Sequence, residues 1–121
     1  MTVAIWAGVV VAGGIGSVLR FLIDGAVARR VARSFPVGTL TVNISGAVLL
    51  GLVSGLALSR QAALLADTAF IGSYTTFSTW MLETQRLAEE RQAWSALANI
   101  VVSVALGVTA ALFGQWIGGR L

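Results

Sequence analysis

An all-α integral membrane protein with four transmembrane helices, the third broken near mid-membrane, is the fold that three observations in this 121-residue sequence predict. Apolar residues make up 57% of the chain and charged residues 11%, and the mean hydropathy is +0.89. The charges are grouped, so that 34–59 and 92–119 are uninterrupted uncharged runs. Each is long enough for the roughly 20 residues that a helix needs to cross about 30 Å of hydrocarbon. Finally, the nine residues from Gly72 to Trp80 combine one glycine, five Ser and Thr residues and three aromatics. That composition is wrong for a lipid-facing helix.

The first span is placed at 3–23, with Arg20 the only charge, near its end. The N-terminus lacks the positive region and small-residue cleavage site of a signal peptide, so this span is read as retained. The second span is placed at 37–58 and the fourth at 93–118, inside the two uncharged runs. The third covers 62–82, with Asp67 early in it. Its hydroxyl side chains bond backbone carbonyls in competition with the helical ladder, and Gly72 adds backbone freedom, so a break is expected within 72–80. Broken backbone at membrane depth is tolerated where it lines a cavity or pore. The connections, at about 24–36, 59–61 and 84–92, are too short for a soluble domain, so 1–121 is read as a single transmembrane domain.

Composition also excludes several chemistries. Cysteine and histidine are both absent, which removes disulfides, thiolate chemistry and thiolate metal sites. No nucleophile–base pair, metal-ligand cluster or paired carboxylate can be assembled from the spans, so an enzyme is not expected. The pI near 11.2 comes from a net charge of +3 carried by eight scattered arginines. This is juxtamembrane charge facing a lipid bilayer, with no basic stripe for nucleic acid. The loops after the first and third spans hold Arg29, Arg30, Arg33, Arg86 and Arg91; the opposite side holds Arg60 and Arg120. The positive-inside preference is therefore weak, and both insertions stay open.

Small residues recur at four-residue spacing: Ala47, Gly51 and Gly55 in the second span, and Ala110, Gly114 and Gly118 in the fourth. Such faces let backbones approach, either within the chain or at a subunit interface. Four short spans enclose little interior of their own, so a homodimer is expected.

The polar residues inside the spans are the functional candidates. Asn43 offers two N–H donors, which can hold a desolvated anion without the full charge that would trap it; the alternative is an interhelical bond that only glues the bundle. Phe77 and Trp80, at i and i+3, share a face if the backbone there is helical. Their rings serve packing, or present positive ring edges to an anion. Arg20 is either functional or an interfacial side chain reaching the headgroups.

Three segments taken together, Gly13-Gly-Ile-Gly-Ser-Val-Leu-Arg-Phe21, Pro36-Val-Gly-Thr-Leu-Thr-Val-Asn-Ile-Ser-Gly46 and Gly72-Ser-Tyr-Thr-Thr-Phe-Ser-Thr-Trp80, resemble the Fluc (CrcB) fluoride channels. The resemblance extends over the whole chain in length and span number. It implies a dual-topology homodimer of antiparallel subunits in a bacterial plasma or inner membrane, with two fluoride pores at the subunit interface and a central sodium ion. Carried onto this chain, the sodium ligands are main-chain carbonyls of Gly72 and Thr75. The fluoride path passes the Asn43 amide and the rings of Phe77 and Trp80, where the family has two phenylalanines. Ser78 and Thr79 add hydroxyl donors near the rings, Ser103 and Thr109 are candidates for a hydroxyl track on the fourth helix, and Arg20 sits at a vestibule. Fluoride is small, hard and strongly hydrated, so a selective pore replaces its water with several short hydrogen bonds at once, which neutral donors do without trapping the ion. The implied role is passive escape of fluoride from the cytoplasm.

Other classes fit less well. A proton-coupled small multidrug exporter needs a membrane-embedded carboxylate, but the first span has none, and Asp67 and Glu83 lie towards the ends of the third. A fluoride/proton antiporter wants a titratable relay that this chain lacks. A structural subunit of a membrane complex needs only the glycine faces.

Overall fold

The computed structural model describes residues 2–121, and every regular element among them is helical. Helix α1 spans Val3–Arg30 and opens with the Thr2 hydroxyl accepting from the Ile5 amide. It runs past the expected span into the arginine-rich connection, ending with Arg29 and Arg30 in its last turn. Cations there complement the partial negative charge of a helix C-terminus. Pro36 then starts α2, Val37–Leu56, which stops at Ala57 in the left-handed region, φ 53°.

Helix α3 (60–74) is capped by the Ser59 hydroxyl, which accepts from the Ala62 amide. It begins as an α-turn, Arg60–Ala63, continues as a π-helix over Leu64–Ile71, and ends in a single α-turn, Gly72–Tyr74. The Gly72 amide reaches back five residues to the Asp67 carbonyl. Long π segments are rare and gather at functional sites. Helix α4 follows at Ser78–Glu89, and Arg91, at φ 61°, makes the tight link to α5, Ala93–Gly118.

Three helices, α1, α2 and α5, are long and apolar enough to cross a membrane. The expected third span contains no single helix of that length, because the backbone turns extended at Thr75, φ −80° and ψ 161°. The break comes three residues later than Gly72, which is itself helical at φ −61° and ψ −33°. The freedom of Gly72 is thus not what opens the helix. A side chain from α2, described below, takes over the hydrogen bonds.

The two glycine faces meet each other within the chain. A methyl on Gly55 would lie 2.6 Å from the Gln115 carbonyl oxygen, and one on Gly114 would lie 2.9 Å from the Leu52 nitrogen. Gly51 faces the Ala111 carbonyl, and Gly118 faces that of Leu52. Residue numbers rise together along this contact, so α2 and α5 run parallel. Since α2 and α5 point the same way, α3 and α4 together carry the chain back between them, and the broken segment does the work of a crossing. On the other side, Gly16 of α1 sits against the Phe70 carbonyl, with the Tyr74 nitrogen 3.2 Å from where a methyl would stand.

Polar links pin the remaining contacts. Ser45 donates to the Val42 carbonyl at 3.0 Å and contacts the Tyr74 hydroxyl at 2.8 Å. With its one proton committed, Ser45 accepts from Tyr74. The Thr39 hydroxyl donates to the Glu83 carboxylate, tying α2 to α4. With three long apolar helices and a fourth crossing segment, the chain is a multi-pass membrane protein.

Candidate functional site

The helix break is made by Asn43, 33 residues earlier in the chain. Its Nδ2 donates to the Thr76 carbonyl at 2.9 Å, and its Oδ1 accepts from the Thr76 amide at 2.8 Å. In an unbroken helix the Thr76 amide would donate to the Gly72 carbonyl. The next diversion is local: the Thr79 amide donates to the Thr76 hydroxyl at 3.2 Å instead of to the Thr75 carbonyl. Gly72 and Thr75 are therefore left with carbonyl oxygens that lack their helical donors. Hard cations take such oxygen ligands, so the donor set fits a sodium ion.

The two bonds of Asn43 are the gluing interaction foreseen as one of its readings, yet they do not exhaust the side chain. An amide nitrogen carries two hydrogens, and the second has no partner among the described residues.

Around this point lies an open groove of about 290 Å³, lined by Asn43, Gly46, Ala47, Leu50, Ile71, Thr75, Thr76, Phe77, Trp80 and Ser103. The Phe77 and Trp80 rings stand perpendicular, 84° apart with centroids separated by 5.7 Å. Phe77 is 70% exposed, so its ring stands at the open side of the groove. Ser103, on α5, is buried in the chain but makes no hydrogen bond among the described residues, so its hydroxyl is free towards the groove.

The other expected residues fall outside this lining. Ser78 and Thr79 stand at the start of α4, beside the groove rather than on its wall. Thr109 is exposed and donates to the Ala105 carbonyl at 2.8 Å, which leaves Ser103 as the groove's hydroxyl from the fourth span. Arg20 is half-buried on α1, away from the lining. Gly72 is exposed next to Thr75.

The indole N–H of Trp80 is engaged within the chain, because it donates to the Asn99 carbonyl at 3.0 Å. Sequence reasoning missed Asn99 altogether. It is 1% exposed, and its Nδ2 donates to the Thr84 hydroxyl at 2.9 Å. The signal was available, since an amide within an uncharged span demands partners just as Asn43 does.

Comparison with known proteins agrees with the site's location in a membrane protein. The Fluoride-specific ion channel FluC 2 of Mycobacterium tuberculosis (strain ATCC 25618 / H37Rv) is 74% identical over 117 residues, covering 97% of this chain and 93% of the relative. The Fluoride-specific ion channel FluC 1 of Leifsonia xyli subsp. xyli is 42% identical over 123 residues, covering 98% and 90%. That of Geobacter sulfurreducens, FluC, is 41% identical over 115 residues, covering 91% and 90%. These relatives are named as ion channels, not enzymes. The family model described as "CrcB-like protein, Camphor Resistance (CrcB)" matches residues 7–115, and with it the chain belongs to the CrcB family.

Proposed function

We propose that this protein is a passive, fluoride-selective ion channel that lets fluoride leave the cytoplasm across a bacterial plasma or inner membrane. One observation carries the reading. A single groove brings together an amide hydrogen of Asn43 and a Ser103 hydroxyl that have no partner among the described residues, and the perpendicular rings of Phe77 and Trp80. All are neutral donors or positive ring edges, and none is a full cation. Such a set replaces the hydration of a small anion by several short contacts while leaving each weak enough for the ion to move on. Larger halides are under-coordinated by donors spaced for a small ion. The names of the relatives point to the same cargo.

The groove is open along one side, and Phe77 stands out from the chain. A second copy supplies the missing wall. In this reading two subunits insert antiparallel, forming a dual-topology homodimer with one fluoride path per groove, two in all. The nearly balanced arginines permit both insertions. Pairing also brings the two helix breaks together, so that the Gly72 and Thr75 carbonyls of both copies face one centre. A sodium ion bound there would supply a fixed positive charge and cross-link the breaks.

Electrogenic efflux from liposomes tests the reading. Purified protein is reconstituted with internal potassium fluoride, and valinomycin starts the flux. Rapid fluoride efflux with negligible chloride leak is expected. No fluoride flux from well-reconstituted protein, or flux that demands a proton gradient, would refute it.

A further inference from the structure

Trp80 is held by a closed circuit that the fluoride path itself does not need. Its indole N–H donates to the Asn99 main-chain carbonyl at 3.0 Å; the Asn99 side-chain amide donates to the Thr84 hydroxyl at 2.9 Å; that hydroxyl donates to the Trp80 carbonyl at 2.8 Å. The circuit begins and ends on Trp80 and joins α4 to α5. Asn99 and Thr84 are both buried, at 1% and 9% exposure, and neither lines the groove. Trp80 does line it, perpendicular to Phe77.

We propose that Asn99 and Thr84 are positioning residues for the anion path: they clamp the Trp80 ring so that it offers ring edge, and never its N–H, to the passing ion. The inference rests on the channel reading and deepens it. An unclamped indole can turn about its side-chain bonds, and its N–H is a far stronger donor than a ring C–H. Pointed into the groove, it would bind fluoride at one place and slow its release. The acceptor is the Asn99 main-chain carbonyl, and the side-chain bonds of Asn99 and Thr84 prevent the turn by holding α5 against α4 at the distance where the N–H reaches it. The clamp also fixes the 84° angle to Phe77, because the side chain of Trp80 is tied to Asn99 and its carbonyl to Thr84, which Asn99 holds in turn. Thr84 lies four residues after Trp80, on the same helical face, so its hydroxyl reaches the Trp80 carbonyl within α4.

The test uses the full chain in liposomes, in a background where Trp6, Trp94 and Trp116 are replaced by Phe. All three are exposed and outside the groove, and Trp80 then gives the only indole N–H resonance. Thr84→Val and Asn99→Leu are each expected to lower fluoride flux about tenfold, the effect of one lost hydrogen bond, and to broaden or move the Trp80 indole resonance. Thr84→Ser keeps the hydroxyl and should restore both. The Asn99→Leu/Thr84→Val double variant removes both partners, so no polar group is stranded; it should be no slower than either single variant. The positioning role is overturned if the single variants run at the parental rate with unchanged fluoride-to-chloride selectivity, or if flux falls while the indole resonance does not change. Parental protein that passes no fluoride would instead remove the channel reading first.

Discussion

Replacing Asn43 by alanine tests the site where fold and function meet. The substitution deletes the 2.9 Å bond to the Thr76 carbonyl and the 2.8 Å bond from the Thr76 amide. Thr76 is 9% exposed, so both backbone groups are left facing protein. Leaving a buried polar group unpaired costs about 1–3 kcal/mol. Two such groups suggest about 2–6 kcal/mol, and the open groove beside them admits water, which favours the lower end. The chain can recover part of this by closing the helix, with the Thr76 amide returning to the Gly72 carbonyl. That repair would turn Phe77 and Trp80 away from their present angle, while the substitution itself removes the amide donor facing the groove. At about 1.4 kcal/mol per tenfold, a 2–3 kcal/mol change predicts a fluoride flux lower by about thirty- to a hundredfold, with the proposed dimer still assembled. Efflux from liposomes measures the rate, and hydrogen exchange over 72–80 measures the backbone. Asn43→Asp keeps one of the two bonds, because a carboxylate still accepts from the Thr76 amide, yet it sets an oxygen against the Thr76 carbonyl and donates nothing to an anion. It should keep the exchange protection of Thr76 and lose the flux. Parental flux and unchanged exchange in Asn43→Ala would refute the reasoning.

Other outcomes follow from the same contacts. Gly51→Ala and Gly114→Ala push a methyl into the backbone of the facing helix and should destabilise the chain by about 1–3 kcal/mol. Gly14→Ala meets nothing within 4 Å and should be neutral or slightly stabilising, as read from unfolding midpoints in detergent. Thr76→Val removes the acceptor of the Thr79 amide and should loosen the start of α4 by about 0.5–2 kcal/mol, seen as faster exchange there, whereas Thr76→Ser should not. Phe77→Ile should cut flux at least tenfold with the dimer intact, while Trp80→Phe, which keeps an aromatic edge, should conduct at no less than about a tenth of the parental rate; the reverse order would contradict the roles given to the rings. Exchanging sodium for N-methylglucamine should lower the melting temperature if the Gly72 and Thr75 carbonyls bind the cation, since a ligand that binds only the folded state stabilises it.

Much of the architecture was legible because membrane insertion is a local matter. Each segment's transfer into hydrocarbon depends on its own side chains, so grouped charges and uncharged runs were enough to mark the spans, and the hydroxyl-rich stretch was enough to predict a break in the third. Asn43, Phe77 and Trp80 stood out as polar or aromatic groups with no cheap place in lipid, Thr75 and Ser103 came only through the resemblance, and the structure gathers these five around one groove. The glycine faces were legible as close-approach surfaces, but not their partner, which is each other.

What the tertiary structure alone decided concerns who bonds with whom. The break falls at Thr75 rather than at Gly72 because an amide 33 residues away captures the Thr76 backbone. The indole N–H of Trp80 is spent on Asn99, a residue that no local pattern tied to the site. Sequence determines that these polar groups must be satisfied, since lipid offers them nothing. Only the packing of α2 and α5 against the broken segment determines which partner satisfies each, because a hydrogen bond depends on distance and direction between elements far apart in the chain.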